Sequence, residues 1–109
     1  MMPWIYFKPE EVVGLDEGLV TRLDAARGIA GVPFRITEGL GSGGAHVGNT
    51  AHARGLAVDL ACVLSGKRMR MVRGLLQAGF RRIGIYDKHI HADIDKTLPQ
   101  DVMWWGVSK

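Results

Sequence analysis

The sequence predicts an α+β domain with a small, mainly antiparallel sheet of four or five strands and two principal helices. Two segments carry apolar residues at alternating spacings of three and four, which is the pattern of a helix with one buried face. Several short segments are instead rich in branched apolar and aromatic residues, as β-strands are. In the second half of the chain these segments are joined by hairpin-like connections, which favours antiparallel pairing.

The first helix is predicted from about Asp16 to Arg27. Its buried face is marked by apolar residues at spacings of four, four and three: Leu15, Leu19, Leu23 and Ala26. Gly28 and Gly31 follow, and we expect these glycines to end the helix.

The second helix is predicted to begin near Ser65, whose hydroxyl can cap the first turn. The three-and-four spacing assigns its core face to four apolar residues: Met69, Val72, Leu76 and Phe80. The other side carries residues that we expect in solvent: Arg70, Arg73 and Gln77. Gly79 is expected to close the helix.

The strands are predicted from their apolar character and from the turn residues between them. The five segments are Pro33–Thr37, Leu56–Leu64, Arg82–Tyr86, His89–Asp95 and Val102–Trp105. A tight turn at Asp87 and Lys88 joins the third and fourth segments. Cys62 lies in the second segment, where a buried thiol that packs as a small apolar side chain is expected.

Length and composition fit one domain spanning residues 1–109. With 47% hydrophobic and 23% charged residues, the composition is close to that of soluble globular proteins. No apolar run approaches the roughly 18 residues that cross a bilayer, so no membrane insertion is expected. The N-terminus also lacks the basic and then apolar pattern of a secretory signal.

The net charge of +3 mildly favours anionic partners. We nevertheless expect no nucleic-acid partner, because neither an aromatic stacking platform nor a base-reading motif accompanies the basic residues. The arginines concerned are Arg68, Arg70, Arg73, Arg81 and Arg82.

The first candidate cluster follows a glycine-rich stretch, residues 39–48, which is predicted to be a loop. Gly55 allows a sharp bend, so that His52 before the second strand can face Asp59 within it. A carboxylate in a buried strand is costly unless it is paired, hydrogen-bonded or bound to a cation. Asp59 is therefore expected either to bind a metal ion or to form a salt bridge with Arg54 or another arginine.

The second candidate cluster is a histidine pair on one strand. His89 and His91 are two residues apart, so that both imidazoles, and Asp93 after them, project from one face. Single histidines are most often structural, but three histidines in two clusters with aspartates favour a metal site. The spacing does not decide whether His89 or His91 is the ligand. His46, in the glycine-rich stretch, is expected to face solvent or anchor the loop, with a supporting contact to the metal site as the alternative.

The ligand types point to zinc. Two histidines and a carboxylate, with a fourth position left to water, form the open pattern of a catalytic zinc site. These ligands suit zinc better than magnesium or calcium. Zinc activates water and polarises a carbonyl, but a general base must stand beside that water. His89 is the first candidate for this base, with Asp93, Asp87 and Glu38 behind it.

Two motifs resemble those of the zinc D-Ala-D-Ala carboxypeptidase family, which is related to lysostaphin-type endopeptidases and to the amino-terminal signalling domain of hedgehog. They are Thr50-x-His52-x-x-Gly55-x-Ala57-x-Asp59 and His89-Ile-His91-x-Asp93. The similarity covers most of the chain, through three further segments: Phe34–Thr37, Gly79–Tyr86 and Leu98–Trp104. The pattern is similar to that of small wall-peptidase domains often carried by phages and bacteria.

The resemblance implies a single zinc peptidase domain with helices packed on one side of its sheet. It implies that one zinc ion is held by His52, Asp59 and His91, with His89 taking the place of a catalytic base. The implied reaction is hydrolysis of a peptide bond in peptidoglycan stem peptides or crosslinks, of the carboxypeptidase or the endolysin-like endopeptidase type. We expect a monomer that acts on the bacterial cell wall and is either phage-encoded or made in the cytoplasm and released.

Two positions depart from the family pattern. Many relatives have Ser-Gly-Tyr-Arg after the entry strand, whereas this chain has Glu38-Gly-Leu-Gly41 and lacks that arginine. Carboxypeptidases often place a catalytic carboxylate three residues before the last ligand, where this chain has Lys88. These departures leave a second hypothesis open: a zinc-bearing cell-wall binding or virion module without catalytic activity.

Overall fold

A computed structural model of the chain describes residues 4–38, 51–52 and 54–107. The predicted glycine-rich loop, with His46, lies outside the described residues. The described elements are a short 3-10 turn (Pro9–Glu11), α1 (Glu17–Ala30), β1 (Ile36–Glu38), β2 (Ala57–Ala61), α2 (Ser65–Gln77), β3 (Arg82–Ile85), β4 (His89–Asp93) and β5 (Val102–Trp105). Two helices and five strands confirm the predicted α+β class. No helix in the described ranges is long and apolar enough to span a membrane.

The five strands form one sheet in the order β1-β2-β4-β3-β5. The pairs β1 with β2, β2 with β4, and β3 with β4 are antiparallel, whereas β3 and β5 are parallel. The prediction of a mainly antiparallel sheet is therefore confirmed, with one parallel edge strand added. This order places β2 directly beside β4, so the two strands that carry the candidate ligands are neighbours.

Helix α1 begins at a side-chain cap and ends at a left-handed glycine. The Asp16 carboxylate accepts hydrogen bonds from the backbone N–H groups of Gly18 and Leu19, at 2.8 and 3.2 Å. Gly31 has φ of 70°, the conformation that ends many helices. The helix passes straight through Gly28, so the prediction that it ends near Arg27 was three residues short.

The buried face of α2 agrees only in part with the prediction: Phe80 is buried and Val72 packs against the core, but the other two predicted core positions are exposed. Its buried residues are Met71, Gly74 and Leu75, whereas Met69 and Leu76 are 65% and 52% exposed. The cause is a close approach to α1: a Cβ atom on Gly74 would lie only 2.5 Å from the backbone oxygen of Ala26. The helix also has no side-chain cap, because Ser65 is its first residue and Leu64 holds the N-cap position.

Both helices pack on one face of the sheet, as the family resemblance implied. The core is formed by apolar helix residues and by alternate strand residues, which include Val58, Leu60, Ile83, Ile85, Ile90 and Ala92. Cys62 is buried in this cluster, as predicted. The strand residues between these core positions point to the opposite face, where the candidate site lies.

Candidate metal centre

The face of the sheet opposite the helices carries a central row of four paired positions. Asp59 on β2 is directly opposite His91 on β4, which is opposite Gly84 on β3. Gly84 is in turn paired with Trp104 on β5. Directly opposite residues share a face, so strand register alone brings Asp59 and His91 together.

The second histidine reaches this row from a turn before β2. Gly55 has φ of 74° there, and a Cβ atom on it would lie 2.6 Å from the backbone oxygen of Gly14. Any other residue would be strained and crowded at this position. The bend directs the buried His52 toward β2, with Nε2 at 3.4 Å from Oδ1 of Asp59.

His52, Asp59 and His91 form a group that could hold a metal ion. One donor atom from each lies within 4.8 Å of the other two. Nδ1 of His91 and Nε2 of His52 lie 3.2 and 3.4 Å from the same Asp59 oxygen. Tetrahedral zinc with bonds of 2.0–2.1 Å keeps its donors roughly 3.3 Å apart. These two separations and the donor types therefore fit a metal ion held by all three residues.

The charges of this group are strongly coupled. Burial raises the pKa of the Asp59 carboxyl, but hydrogen bonds and opposite charge from His52 and His91 lower it by more. The pKa of Asp59 is therefore well below its usual range. Burial lowers the pKa of His91, while hydrogen bonds and charge from Asp59 and Asp93 outweigh it and raise the pKa above its ordinary value. The site thus favours a cation beside Asp59, and without a metal the contacts with Asp59 and Asp93 stabilise the protonated form of His91.

Arg54 is not the partner of Asp59. Its guanidinium pairs instead with Asp95, which lies just beyond the end of β4. The predicted pair of Asp59 with Arg54 is therefore wrong, and the charged partners that the structure gives Asp59 are His52, His89 and His91.

Asp93 lies beneath His91 and not at the open side of the site. Its side chain is 1% exposed, and its Oδ2 lies 2.7 Å from Nε2 of His91. Its Oδ1 accepts hydrogen bonds from Nε of Arg82 at 2.8 Å and from the backbone N–H of Asp95 at 3.1 Å. A carboxylate held in this way keeps the proton of His91 on Nε2 and leaves Nδ1 for a metal.

His89 borders the ligand group on the more exposed side. Its Nε2 lies 3.8 Å from Oδ2 of Asp59, whereas the two closer histidines contact Oδ1. Its ring stacks on Tyr86 with centroids 4.3 Å apart and planes at 12°. Asp87, another base candidate, lies in the exposed turn between β3 and β4. For Glu38, the structure describes the backbone pairing with Asp59.

Four residues beside the ligands were not assigned to the metal site from the sequence: Arg82, Gly84, Tyr86 and Trp104. The Trp104 ring lies 5.3 Å from that of His91, and its Nε1 donates to the Tyr86 hydroxyl at 3.1 Å. Arg82 lies over the same indole, 5.1 Å from its centroid. The available signal was the period-two spacing of Arg82, Gly84 and Tyr86, which puts all three on the face used by His91.

Comparison with known proteins finds no matching family model, no matching curated protein and no matching solved structure. The resemblance to zinc D-Ala-D-Ala carboxypeptidases therefore rests on the motifs of this chain.

Proposed function

We propose that this protein is a zinc peptidase that hydrolyses a peptide bond in bacterial peptidoglycan. The observation that carries the proposal is the cluster of two imidazole nitrogens around one oxygen of Asp59, at 3.2 and 3.4 Å. A site with three protein donors leaves its fourth position to water, which is the arrangement of a catalytic zinc site, whereas structural sites are closed by four protein ligands.

The roles of the residues follow from their places. His52, Asp59 and His91 would hold the ion, which lowers the pKa of a bound water and polarises a carbonyl when present. His89 is our candidate for the general base, because its imidazole borders the ligand group and is 21% exposed. Asp93 orients His91, so we assign it a positioning role and no proton transfer with substrate.

The substrate class rests on the motif resemblance. Peptidoglycan stem peptides or crosslinks are the peptides that relatives with this motif cleave, and the net charge of +3 suits work on an anionic wall. We propose that a monomer acts on the bacterial cell wall, as a phage endolysin or as a protein made in the cytoplasm and released.

The direct test combines zinc content with product analysis. The purified protein is assayed for zinc by elemental mass spectrometry and then incubated with defined muropeptides, whose products are identified by mass. We expect one zinc per chain and release of a new amino group or of D-alanine. A chain that holds one zinc but cleaves none of the muropeptides contradicts the enzyme proposal.

Variants of the histidines separate ligands from the base. His52→Ala and Asp59→Asn should lose zinc and activity together. His89→Ala should keep zinc and lose about 10²- to 10⁴-fold in rate, the usual contribution of a general base. Loss of zinc from His89→Ala would show that His89, and not His91, is the ligand on this strand.

The second candidate function is a zinc-bearing wall-binding or virion module without catalysis. Lys88 favours it, because it stands where a catalytic carboxylate is common in the carboxypeptidases. This module should bind purified cell walls in a sedimentation assay and leave the muropeptides intact. The same zinc and product measurements therefore distinguish the two functions.

A further inference from the structure

The turn that carries His52 is not part of the sheet, so strand register does not hold it. Its backbone is tied to the rest of the fold at its far end. The N–H of Asp16 donates to the oxygen of Gly55 at 2.9 Å, and the N–H of Ile94 donates to the oxygen of Leu56 at 3.0 Å. Within the turn, the N–H of Gly55 donates to the oxygen of His52 at 3.1 Å and the N–H of Leu56 donates to the oxygen of Ala51 at 2.8 Å, so the turn closes on itself. A side-chain contact from this turn to a buried group elsewhere in the fold would further fix the direction of His52.

Arg54 makes such a contact, two residues after His52. Its Nη2 donates to Oδ2 of Asp95, whose side chain is completely buried. The other carboxylate oxygen of Asp95 accepts hydrogen bonds from the backbone N–H and the hydroxyl of Thr97, at 3.0 and 2.6 Å. The hydrogen bonds from Thr97 therefore fix the orientation of the carboxylate that pairs with Arg54.

The Asp95 carboxylate is fully buried, whereas the Arg54 side chain is 29% exposed. Such a pair is a poor source of stability, because desolvation of the buried carboxylate cancels much of the attraction. Its position suggests a different use. Asp95 is linked to Asp93 by the bond from its backbone N–H to the Asp93 carboxylate, at 3.1 Å. Asp93 contacts His91 directly. One short segment thus reaches both histidine ligands, one directly and the other through Arg54.

We infer that Asp95 is a positioning residue for His52, acting through Arg54, and that the Asp93–Asp95 segment sets the directions of both histidine ligands. The inference rests on the proposed zinc site. Residues that orient metal ligands typically contribute 10- to 100-fold to metal affinity. We expect a loss in about this range when the Arg54–Asp95 contact is removed from a protein that still folds.

The test measures zinc affinity by competition with a chromogenic chelator, together with the visible absorption of the Co²⁺-substituted protein. Asp95→Asn keeps the shape of the side chain and removes its charge. The double variant Arg54→Met/Asp95→Asn removes both charges, so that neither is left buried and unpaired. Circular dichroism identifies the temperature range in which each metal-free variant is folded, and affinities are measured there.

The matched control is Asp101→Asn. Asp101 forms an exposed pair with Arg81, with Nε at 2.7 Å from Oδ1, and does not belong to the ligand network. Its φ is 59°, a conformation that asparagine tolerates well. We expect this variant to bind zinc within about twofold of the unaltered chain, well short of the 10-fold loss expected for a positioning residue.

The supporting result is a zinc affinity lowered by about 10- to 100-fold and a changed Co²⁺ spectrum in both Asp95 variants. If the ion pair is purely structural, its removal should lower the unfolding temperature and leave the zinc affinity and the Co²⁺ spectrum unchanged. This result would overturn the present inference but not the proposed function. An equal loss in Asp101→Asn would also overturn it. Absence of zinc binding by the unaltered protein would overturn the proposed function together with this inference.

Discussion

Gly84→Ala tests whether a missing side chain shapes the wall of the metal centre. Gly84 is paired with His91 on one side and with Trp104 on the other. Because glycine has no Cβ, the indole of Trp104 lies over the strand at this position. A Cβ atom there would lie 2.6 Å from Nε1 of Trp104 and 2.7 Å from Cε2, so the ring would have to move.

The expected cost of the substitution combines three contributions. Overpacking of this kind costs about 1–3 kcal/mol. Displacement of the ring also breaks the hydrogen bond from Trp104 to Tyr86, which is worth about 1 kcal/mol. Replacing glycine by alanine inside a strand returns roughly 0.5–1 kcal/mol. The free energy of unfolding should therefore fall by about 1–3 kcal/mol.

The assay is urea denaturation of four proteins that form a double-mutant cycle: the unaltered chain, Gly84→Ala, Trp104→Ala and the double variant. Once Trp104 is reduced to alanine, the new Cβ has no indole to meet, so Gly84→Ala should change sign and stabilise by roughly 0.5–1 kcal/mol. An equal destabilisation with and without Trp104 would refute the reasoning, because the cost could not then come from the indole.

Three further predictions concern the helix pair, the pH and the metal. Gly74→Ala should destabilise by about 1–3 kcal/mol, despite a helix-propensity gain of about 1 kcal/mol, because its Cβ would lie 2.5 Å from the Ala26 oxygen. Gly66→Ala, in the same helix with open space around it, should instead stabilise by up to about 1 kcal/mol; the same sign for both variants in urea denaturation would contradict this. The raised pKa of His91 contributes stability that is fully present below pH 6.5 and is lost as the pH rises through the pKa of His91 in the folded protein. The lowered pKa of Asp59 contributes stability that is fully present above pH 3.8 and is lost as the pH falls through the pKa of Asp59 in the folded protein. The unfolding temperature of the chelator-treated protein should therefore be highest between pH 3.8 and 6.5. An unfolding temperature that rises from pH 6 to 8 would contradict the raised pKa of His91. Zinc should reverse that trend, because its binding displaces a proton and so strengthens with pH; a zinc-dependent rise in unfolding temperature that shrinks between pH 6 and 8 would count against the site.

The sequence was sufficient to predict the fold class and the face on which the site lies, because both follow from period-two alternation. It could not choose between His89 and His91. That choice depends on cross-strand register, in which Asp59 is opposite His91 and Ala61 is opposite His89. The alternating pattern fixes the face that each residue takes, but registers that differ by two residues bury the same apolar side chains.

The buried face of α2 shows a second limit of sequence patterns. The three-and-four spacing is met by Met69 and Leu76, yet both are mostly exposed. The rotation of the helix is set by the contact of Gly74 with the backbone of α1. Because glycine has no side chain, a contact of this kind does not contribute to a hydrophobic pattern and cannot be predicted from one. Arg82 could not be assigned to the site from the sequence for a related reason, because its buried carboxylate partner is eleven residues away in the chain.

The core and the candidate metal centre depend on the same register of β2 and β4. Val58 and Leu60 pair with Ala92 and Ile90 on the helix side, and Asp59 lies between them on the other side. A slip of one residue would move Asp59 into the apolar core and an apolar residue onto the open face. Burial of the apolar residues therefore keeps Asp59 on the face that carries His89 and His91, where the observed register sets it opposite His91. It follows that the metal-free chain should already hold the ligand pair, so that zinc adds stability to a formed site.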